Sequence, residues 1–230
     1  MRREIAIVED EPVLQANYRD VLERHGYSVA TYSTRKQAMT AFHSRLPELA
    51  IIDVGLGEEI EGGFELCREL RSMAPTLPIV FLTARDSELD TISGLRLGAD
   101  DYLTKDISLE HLVARVVALF RRLDAFAQPD LPEDIVHCGQ LSIDLKRMAA
   151  LWKSEAVALS VTELWMVHAL ARHPGHVKSR QQLMDAANVV LDDATITSHI
   201  KRIRKKFLQV DTEFDSIETA YGMGYRWNLV

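Results

Sequence analysis

Cysteine is nearly absent: among 230 residues only Cys67 and Cys138 carry a thiol. Their positions have no metal-ligand spacing, so neither a disulfide framework nor a zinc site is supported. The chain also lacks any run of eighteen or more apolar residues, and no apolar signal core follows its basic start. No membrane span or export signal is therefore expected, and the cytoplasm is the expected location. No internal repeat is evident. At 230 residues and 26.0 kDa there is room for one large domain or two modest ones, each burying its own core.

Cations are in deficit, 27 Lys+Arg against 34 Asp+Glu for a net charge of −7. The deficit is uneven. Residues 1–122 hold 15 bases and 20 acids, residues 123–135 hold four acids and no base, and residues 136–230 hold 12 bases and 10 acids. Five of those last twelve bases fall within Lys201-Arg202-Ile203-Arg204-Lys205-Lys206. Overall acidity argues against nucleic acid, but clustered charge is what a polyanion meets, and the C-terminal third has the cluster.

Residues 1–122 alternate strand-like and helix-like segments with short polar connections, the pattern of a doubly wound α/β domain with a five-stranded parallel sheet. Strands are expected at 5–8, 28–32, 49–52, 79–82 and 101–104. Helices are expected at 12–24, from a Ser33 or Thr34 cap to 45, and at 63–72, 87–97 and 108–122. Residues 124–134 contain Pro129, Pro132, four acids and no period, so 123–135 reads as a linker. Beyond it come short alternating segments (138–145, 147–152, 155–159) and helices at 162–172, 180–187 and 194–208. A hairpin, 216–220 with 225–229, closes across Gly222-Met223-Gly224. This is an α+β winged helix-turn-helix over residues 136–230.

The first domain delivers chemistry at its strand ends, where parallel sheets place their sites. The run 48–52 delivers Asp53, 5–8 delivers Glu9, Asp10 and Glu11, 79–82 delivers Thr83, and 101–104 delivers Lys105. Glu9, Asp10 and Asp53 suit a hard cation such as Mg²⁺, which takes oxygen ligands and screens an approaching phosphoryl group. Phosphoryl transfer asks mainly for positioning and charge neutralisation, which Lys105 and the Thr83 hydroxyl can supply, while small Ala84 leaves room. In the last helix, Ile196, Ile200, Ile203 and Phe207 form one apolar stripe. Ser198, Lys201, Arg202 and Lys205 are expected on the opposite face, with Thr197 and His199 on the flanks, a surface that fits a DNA major groove.

The segments Val8-Glu9-Asp10-Glu11, Ile51-Ile52-Asp53, Leu82-Thr83-Ala84-Arg85 and the run from Gly94 to Lys105 resemble the receiver domain of two-component response regulators. Residues 159–164, 173–180, 195–206 and 218–226 resemble the winged-helix effector domain of the OmpR/PhoB class. The two matches cover nearly the whole chain except the linker. The resemblance implies a phosphorylation-controlled, sequence-specific DNA-binding transcription regulator that modifies only itself. It implies that Asp53 accepts a phosphoryl group from a histidine kinase, that Glu9, Asp10, Asp53 and the Gly55 carbonyl bind Mg²⁺, and that Thr83 and Tyr102 are the switch pair. It also implies pairing through a face bearing Arg96, Asp100, Asp101, Glu110, Arg115 and Arg122, an Asp101–Arg115 ion pair, tandem DNA half-sites one turn apart and contact with RNA polymerase. Thr195, Thr219 and Tyr225 would touch phosphates, and Thr197, Ser198 and Arg202 would read bases. His199, Lys201, Arg204, Lys205 and Tyr221 complete the expected DNA-facing set. A haloacid-dehalogenase-like phosphatase, which also uses an aspartyl phosphate, needs a second acid two residues after the nucleophile, where Gly55 stands. A receiver that regulates without phosphate, and a winged helix that binds protein, remain as rivals.

The chain departs from the pattern in several places. Lys105 is followed by Asp106 instead of proline, and the loop after Asp53 is long and acidic, with Gly57 and Glu58, Glu59 and Glu61. A common arginine–glutamate pair is replaced by Thr91 and His111, Ala194 replaces an arginine before Thr195, and Tyr221 replaces the wing arginine. Gly55 stands where a larger side chain is common, which leaves the pocket edge open to water. The Gly55→Met variant is expected to lose phosphate from Asp53 more slowly than the wild type in a decay assay; unchanged or faster loss would sink this idea.

Overall fold

A computed structural model describes residues 2–85, 94, 97–127, 135–187 and 193–229, apart from the side chains of Arg122, 125–127 and 193–195. The chain divides into two compact units, Met1–Val117 and Ala118–Val230.

In the first unit, β1 (Glu4–Val8), β2 (Ser28–Tyr32), β3 (Leu49–Ile52), β4 (Ile79–Thr83) and β5 (Asp101–Thr104) pair in parallel, in the order β2-β1-β3-β4-β5. Ile5–Val8 of β1 and every residue of β3 and β4 are buried, so both faces of the sheet are covered and the strands read as near-continuous apolar runs. Helix α1 (Pro12–Arg24) opens on proline, whose fixed φ and missing N–H cost nothing in a first turn. Helix α2 (Arg35–Ser44) is capped by Thr34, whose hydroxyl accepts from Gln37 N at 3.2 Å. Ala38 and Phe42 of α2 join Phe64, Leu66, Cys67 and Leu70 of α3 (Gly62–Met73) in one core cluster with Ala6, Ile52 and Phe81. Helix α4 (Leu109–Ala127) begins in this unit and continues past Val117, where the unit ends, and past Arg122, so the first residues of the stretch read as linker are helical. The expected helix at 87–97 lies outside the described residues except for Gly94 and Leu97.

The second unit builds a small antiparallel sheet, β6 (Ile135–Cys138), β7 (Leu141–Asp144), β8 (Ala149–Trp152) and β9 (Glu155–Val157), in chain order. The single segment expected at 138–145 is corrected: Gly139, at φ +58, turns the chain there and separates two strands. Then come α5 (Val161–Ala171), α6 (Arg180–Ala186), α7 (Asp193–Val210) and the hairpin β10 (Ile217–Ala220) with β11 (Gly224–Trp227). The stripe Ile196, Ile200, Ile203 and Phe207 is buried as its spacing predicts, and Phe207 stacks on Phe214 at 4.4 Å. Among the described residues no helix is long and apolar enough to cross a membrane.

All three tryptophans, Trp152, Trp165 and Trp227, lie in this second unit, and Trp165 packs edge-on against buried His168 at 5.7 Å. Burial, with the nearby charges of Arg172 and His173, pushes the His168 pKa down to about 4. The unfolded chain therefore binds a proton more readily than the folded one, so stability is lost as pH falls from the ordinary histidine value towards that of the folded state. At the full shift the effect is about 3 kcal/mol. Urea unfolding followed by tryptophan fluorescence should show this unit weakening from pH 6.5 to 5, before carboxylates titrate. His168→Leu should flatten that slope, and an equal slope in the variant would refute the assignment.

Candidate functional site

Strand ladders carry the pocket residues one step beyond the sheet. Glu9 N donates to Tyr32 O at 3.0 Å, Asp53 N to Val8 O at 2.9 Å and Lys105 N to Thr83 O at 2.8 Å. Backbone bonds thus fix where each functional side chain departs. Glu9, Asp53 and Thr83 are buried at 2%, 7% and 2% exposure. The Lys105 ammonium lies 2.7 Å from Asp53 Oδ2, 2.9 Å from Glu9 and 3.7 Å from Glu11. Carboxylate oxygens of Glu9, Asp10 and Asp53 all lie within 4.8 Å of one another.

Burial raises the Glu9 pKa to about 7, and the Asp53 charge pushes the same way, against the hydrogen bond and charge of Lys105. Burial alone would lower the Lys105 pKa, but its hydrogen bonds and charge pairing with Asp53 and Glu9 outweigh that and raise it. One cation serving several crowded carboxylates leaves negative charge to be matched, and the donors are all hard oxygens. This set fits a divalent cation of the Mg²⁺ type. An ideal Cβ on Gly55 would meet only Ile60 O, at 4.0 Å, so a larger side chain has space there.

Thr83 and Tyr102 are joined through a residue between them in sequence. The Arg85 amide donates to Thr83 Oγ1 at 3.4 Å, and the Tyr102 hydroxyl donates to Arg85 O at 3.1 Å. The Arg85 guanidinium also donates to Ile60 O at 2.9 Å, tying this turn to the acidic loop after Asp53. That loop folds on itself through paired Leu56 and Glu59 backbone bonds, with Gly57 at φ +63, and Glu59 pairs with Arg35 at 2.7 Å. No cis peptide occurs among the described residues, so Lys105–Asp106 is trans, and Asp106 accepts from the Thr104 hydroxyl.

Gly63 carries a role that the sequence reading missed. A Cβ there would stand 1.9 Å from Asp53 O, and its amide donates to Val54 O at 2.9 Å. Only glycine lets α3 approach the carbonyl of Asp53 this closely. The paired glycines opening a helix were the available signal.

The expected pairing face needs correction at its acids. Asp100 is fully buried: its Oδ2 accepts from Arg71 Nη2 at 2.7 Å and from Ile79 N at 3.1 Å, while Arg71 Nε donates to Gly98 O at 2.7 Å. It is an internal staple between α3 and the sheet, as a buried carboxylate requires. Asp101 is also buried, and its pair with Arg115, at 3.5 Å, forms within the chain. Arg115 donates to His111 at 3.2 Å, and Glu110 is exposed. Thr91 and Arg96 lie outside the described residues, as does the side chain of Arg122.

In the second unit the structure reassigns half of the expected outer face. Arg202, Ser198 and His199 are buried. Arg202 and Lys206 both bind Glu163 of α5, Lys206 at 2.6 Å, and Arg202 also reaches His199 Nδ1 at 2.9 Å. His199, Arg202 and Lys206 recur at i, i+3 and i+7 on the shoulder of the apolar stripe, so they turn towards α5 and not outward. The face left exposed is Thr197, Lys201, Lys205 and Leu208. Arg204 is spent on the hairpin, donating to Ile217 O at 2.9 Å and Thr219 Oγ1 at 2.8 Å. Tyr225 is buried, with its hydroxyl 3.4 Å from Thr197 Oγ1, whereas Tyr221 at the hairpin tip is 93% exposed. The side chain of Thr195 lies outside the described residues.

Comparison with known proteins supplies two family matches. Residues 5–117 match the response regulator receiver domain, and residues 154–227 match the C-terminal domain of transcriptional regulatory proteins. The transcriptional regulatory protein CreB of Escherichia coli K12 is 35% identical, with 98% of each chain covered. The phosphate regulon regulator PhoB of Rhizobium meliloti is 37% identical, again over 98% of each. The solved structure of DrrB, a Thermotoga maritima OmpR/PhoB homologue, is 25% identical with TM-score 0.52, covering 99% of this chain and 100% of that one.

Glu163 is fully buried. Burial alone would raise its pKa, but the charges and hydrogen bonds of Arg202 and Lys206 hold it well below the ordinary carboxylate range. Glu163→Gln strands two cations, which should destabilise the second unit by about 3 kcal/mol. Thermal unfolding read by tryptophan fluorescence checks this, and a midpoint equal to wild type would show the pair contributes nothing.

Proposed function

The chain belongs to the OmpR/PhoB class of response regulators, DNA-binding transcription regulators controlled by phosphorylation, and from there we propose how its own residues carry out that control. Asp53 attacks the phosphorus of a kinase phosphohistidine; the new bond is carboxylate oxygen to phosphorus, and the bond broken is phosphorus to imidazole nitrogen. The reading rests on one observation above all: a Lys105 ammonium bridging Asp53 and Glu9, with Asp10 oxygens inside the same 4.8 Å cluster.

Glu9, Asp10, Asp53 and the Gly55 carbonyl hold Mg²⁺, which when bound screens the charge between carboxylates and the incoming phosphoryl group. Lys105 neutralises a phosphate oxygen, and Thr83 turns its hydroxyl towards another. Because Arg85 is bonded to both Thr83 and Tyr102, movement of that hydroxyl loosens the Arg85 turn and frees Tyr102 to follow. Residues 1–122 serve as the receiver, 123–135 as the linker and 136–230 as the DNA-binding domain. The receiver's chemistry is confined to gaining and losing its own phosphate.

Phosphorylated chains pair through the α4 side of the receiver, with Arg115 and Arg122 among the contacts. Asp100 and Asp101 act from beneath that surface, by fixing Arg71 and Arg115. The pair binds tandem half-sites about one helical turn apart in the cytoplasm and engages RNA polymerase. Lys201, Lys205, Thr195 and Thr197 face the DNA. Arg202, Ser198, His199, Arg204, Thr219 and Tyr225 set the pose of α7 and the hairpin. With only two exposed α7 lysines at the groove, the salt dependence of binding should be shallow.

Beryllofluoride or acetyl phosphate with Mg²⁺ should convert the wild-type chain to a dimer on sizing and tighten its binding to its own upstream DNA. Asp53→Ala should show neither change. A full response from that variant would exclude Asp53 as acceptor. Regulation without any response in either protein would favour phosphate-independent control, and failure to bind DNA under every condition would refute the DNA role.

A further inference from the structure

The first two acids of the pocket sit on a short connection, Glu9-Asp10-Glu11, between β1 and α1. The pairing of β1 with β2 ends at Val8 and Tyr32. Beyond it, Glu9 N still donates to Tyr32 O at 3.0 Å, but the next carbonyl, Glu9 O, accepts from a side chain: the amide nitrogen of Gln15, in the first turn of α1. The same nitrogen donates to Ser33 Oγ at 3.0 Å, and Ser33 N donates to Gln37 Oε1 at 3.0 Å. Gln37, Ser33, Gln15 and Glu9 thus form a chain of hydrogen bonds from α2 through α1 to the end of β1. Both hydrogens of the Gln15 amide nitrogen have an acceptor, which fixes the plane of that amide.

Resting on the Mg²⁺ and phosphoryl-transfer reading of this pocket, we infer that Gln15 is a positioning residue for the metal, a neutral brace that sets where Glu9 and Asp10 present their carboxylates. Glu9 O belongs to the planar peptide that joins Glu9 to Asp10, so a bond to that oxygen fixes the direction in which the chain leaves both residues. A cation pulls on the carboxylates it binds, and a short connection yields to that pull unless something behind it holds. Removing the groups that stand behind metal ligands accordingly weakens metal binding. Charge explains why an amide serves here. Lys105 already lies among the carboxylates, and a second cation at position 15 would oppose Mg²⁺ in the same field. Glutamine supplies two donors and no charge.

The test uses the full chain, isotope-labelled, with Mg²⁺ affinity read from backbone amide shifts. Labelling by acetyl phosphate is followed against Mg²⁺ concentration in parallel. Gln15→Met keeps the length of the side chain and removes both donors. It should weaken Mg²⁺ binding about tenfold, while labelling at saturating Mg²⁺ keeps the wild-type rate. Ser33→Ala leaves the bond to Glu9 in place and should weaken binding by a smaller factor. Val21→Ala, on the buried face of the same helix, should lower the thermal midpoint of the receiver without moving the Mg²⁺ affinity. A loss of affinity in Val21→Ala equal to that in Gln15→Met overturns the brace. Loss of the Mg²⁺ shifts in Asp10→Asn, with wild-type affinity in Gln15→Met, overturns the brace and leaves the metal reading intact. Pocket amides that ignore Mg²⁺ in the wild-type chain refute that reading and the brace with it.

Discussion

One ammonium among crowded carboxylates organises the receiver pocket. Lys105 reaches Asp53 and Glu9 at hydrogen-bond distance from the end of β5, while those acids come from β3 and β1. Without that charge, burying two carboxylates side by side would drive one of them to protonate. With it, the cluster still carries excess negative charge, which is the condition for taking up a divalent cation. The sheet matters because its ladders continue one residue past each strand and fix the backbone beneath each of these side chains. Electrostatic crowding and backbone rigidity thus arise from the same five strands.

The second unit repeats the logic with the signs exchanged. There a single buried carboxylate, Glu163, holds two cations from α7. Buried charge of this kind adds little to stability compared with apolar packing, but its geometry is exacting. Here it sets the rotation of α7 about its axis, and that rotation decides which residues face outward. Arg204 fixes the hairpin to the same helix. The basic run therefore divides its labour: Arg202, Arg204 and Lys206 hold the fold, and Lys201 and Lys205 remain exposed to meet a ligand.

Apolar runs with acids at their ends made the receiver readable, because a parallel sheet buried on both faces needs continuous apolar strands and leaves its chemistry at the rim. The stripe Ile196, Ile200, Ile203 and Phe207 was readable for the same reason. Less readable was the shoulder of that helix. A wheel drawn from one sequence separates apolar from polar residues, but it does not show that Glu163 waits opposite Arg202. Asp100 and Gly63 were obscured likewise, since Arg71 and the Asp53 carbonyl reach them only after α3 docks.

The sequence by itself determined the two domain types, the strand-end placement of Glu9, Asp10, Asp53, Thr83 and Lys105, and the helix that carries the basic run. These follow from local periodicity and from the polarity change at each strand end. Tertiary structure alone decided the partners: Lys105 for Asp53, Arg71 for Asp100, and Glu163 for Arg202 and Lys206. The physical reason is that burial, which makes an ion pair obligatory, is a property of the packed molecule. No residue type carries it in advance.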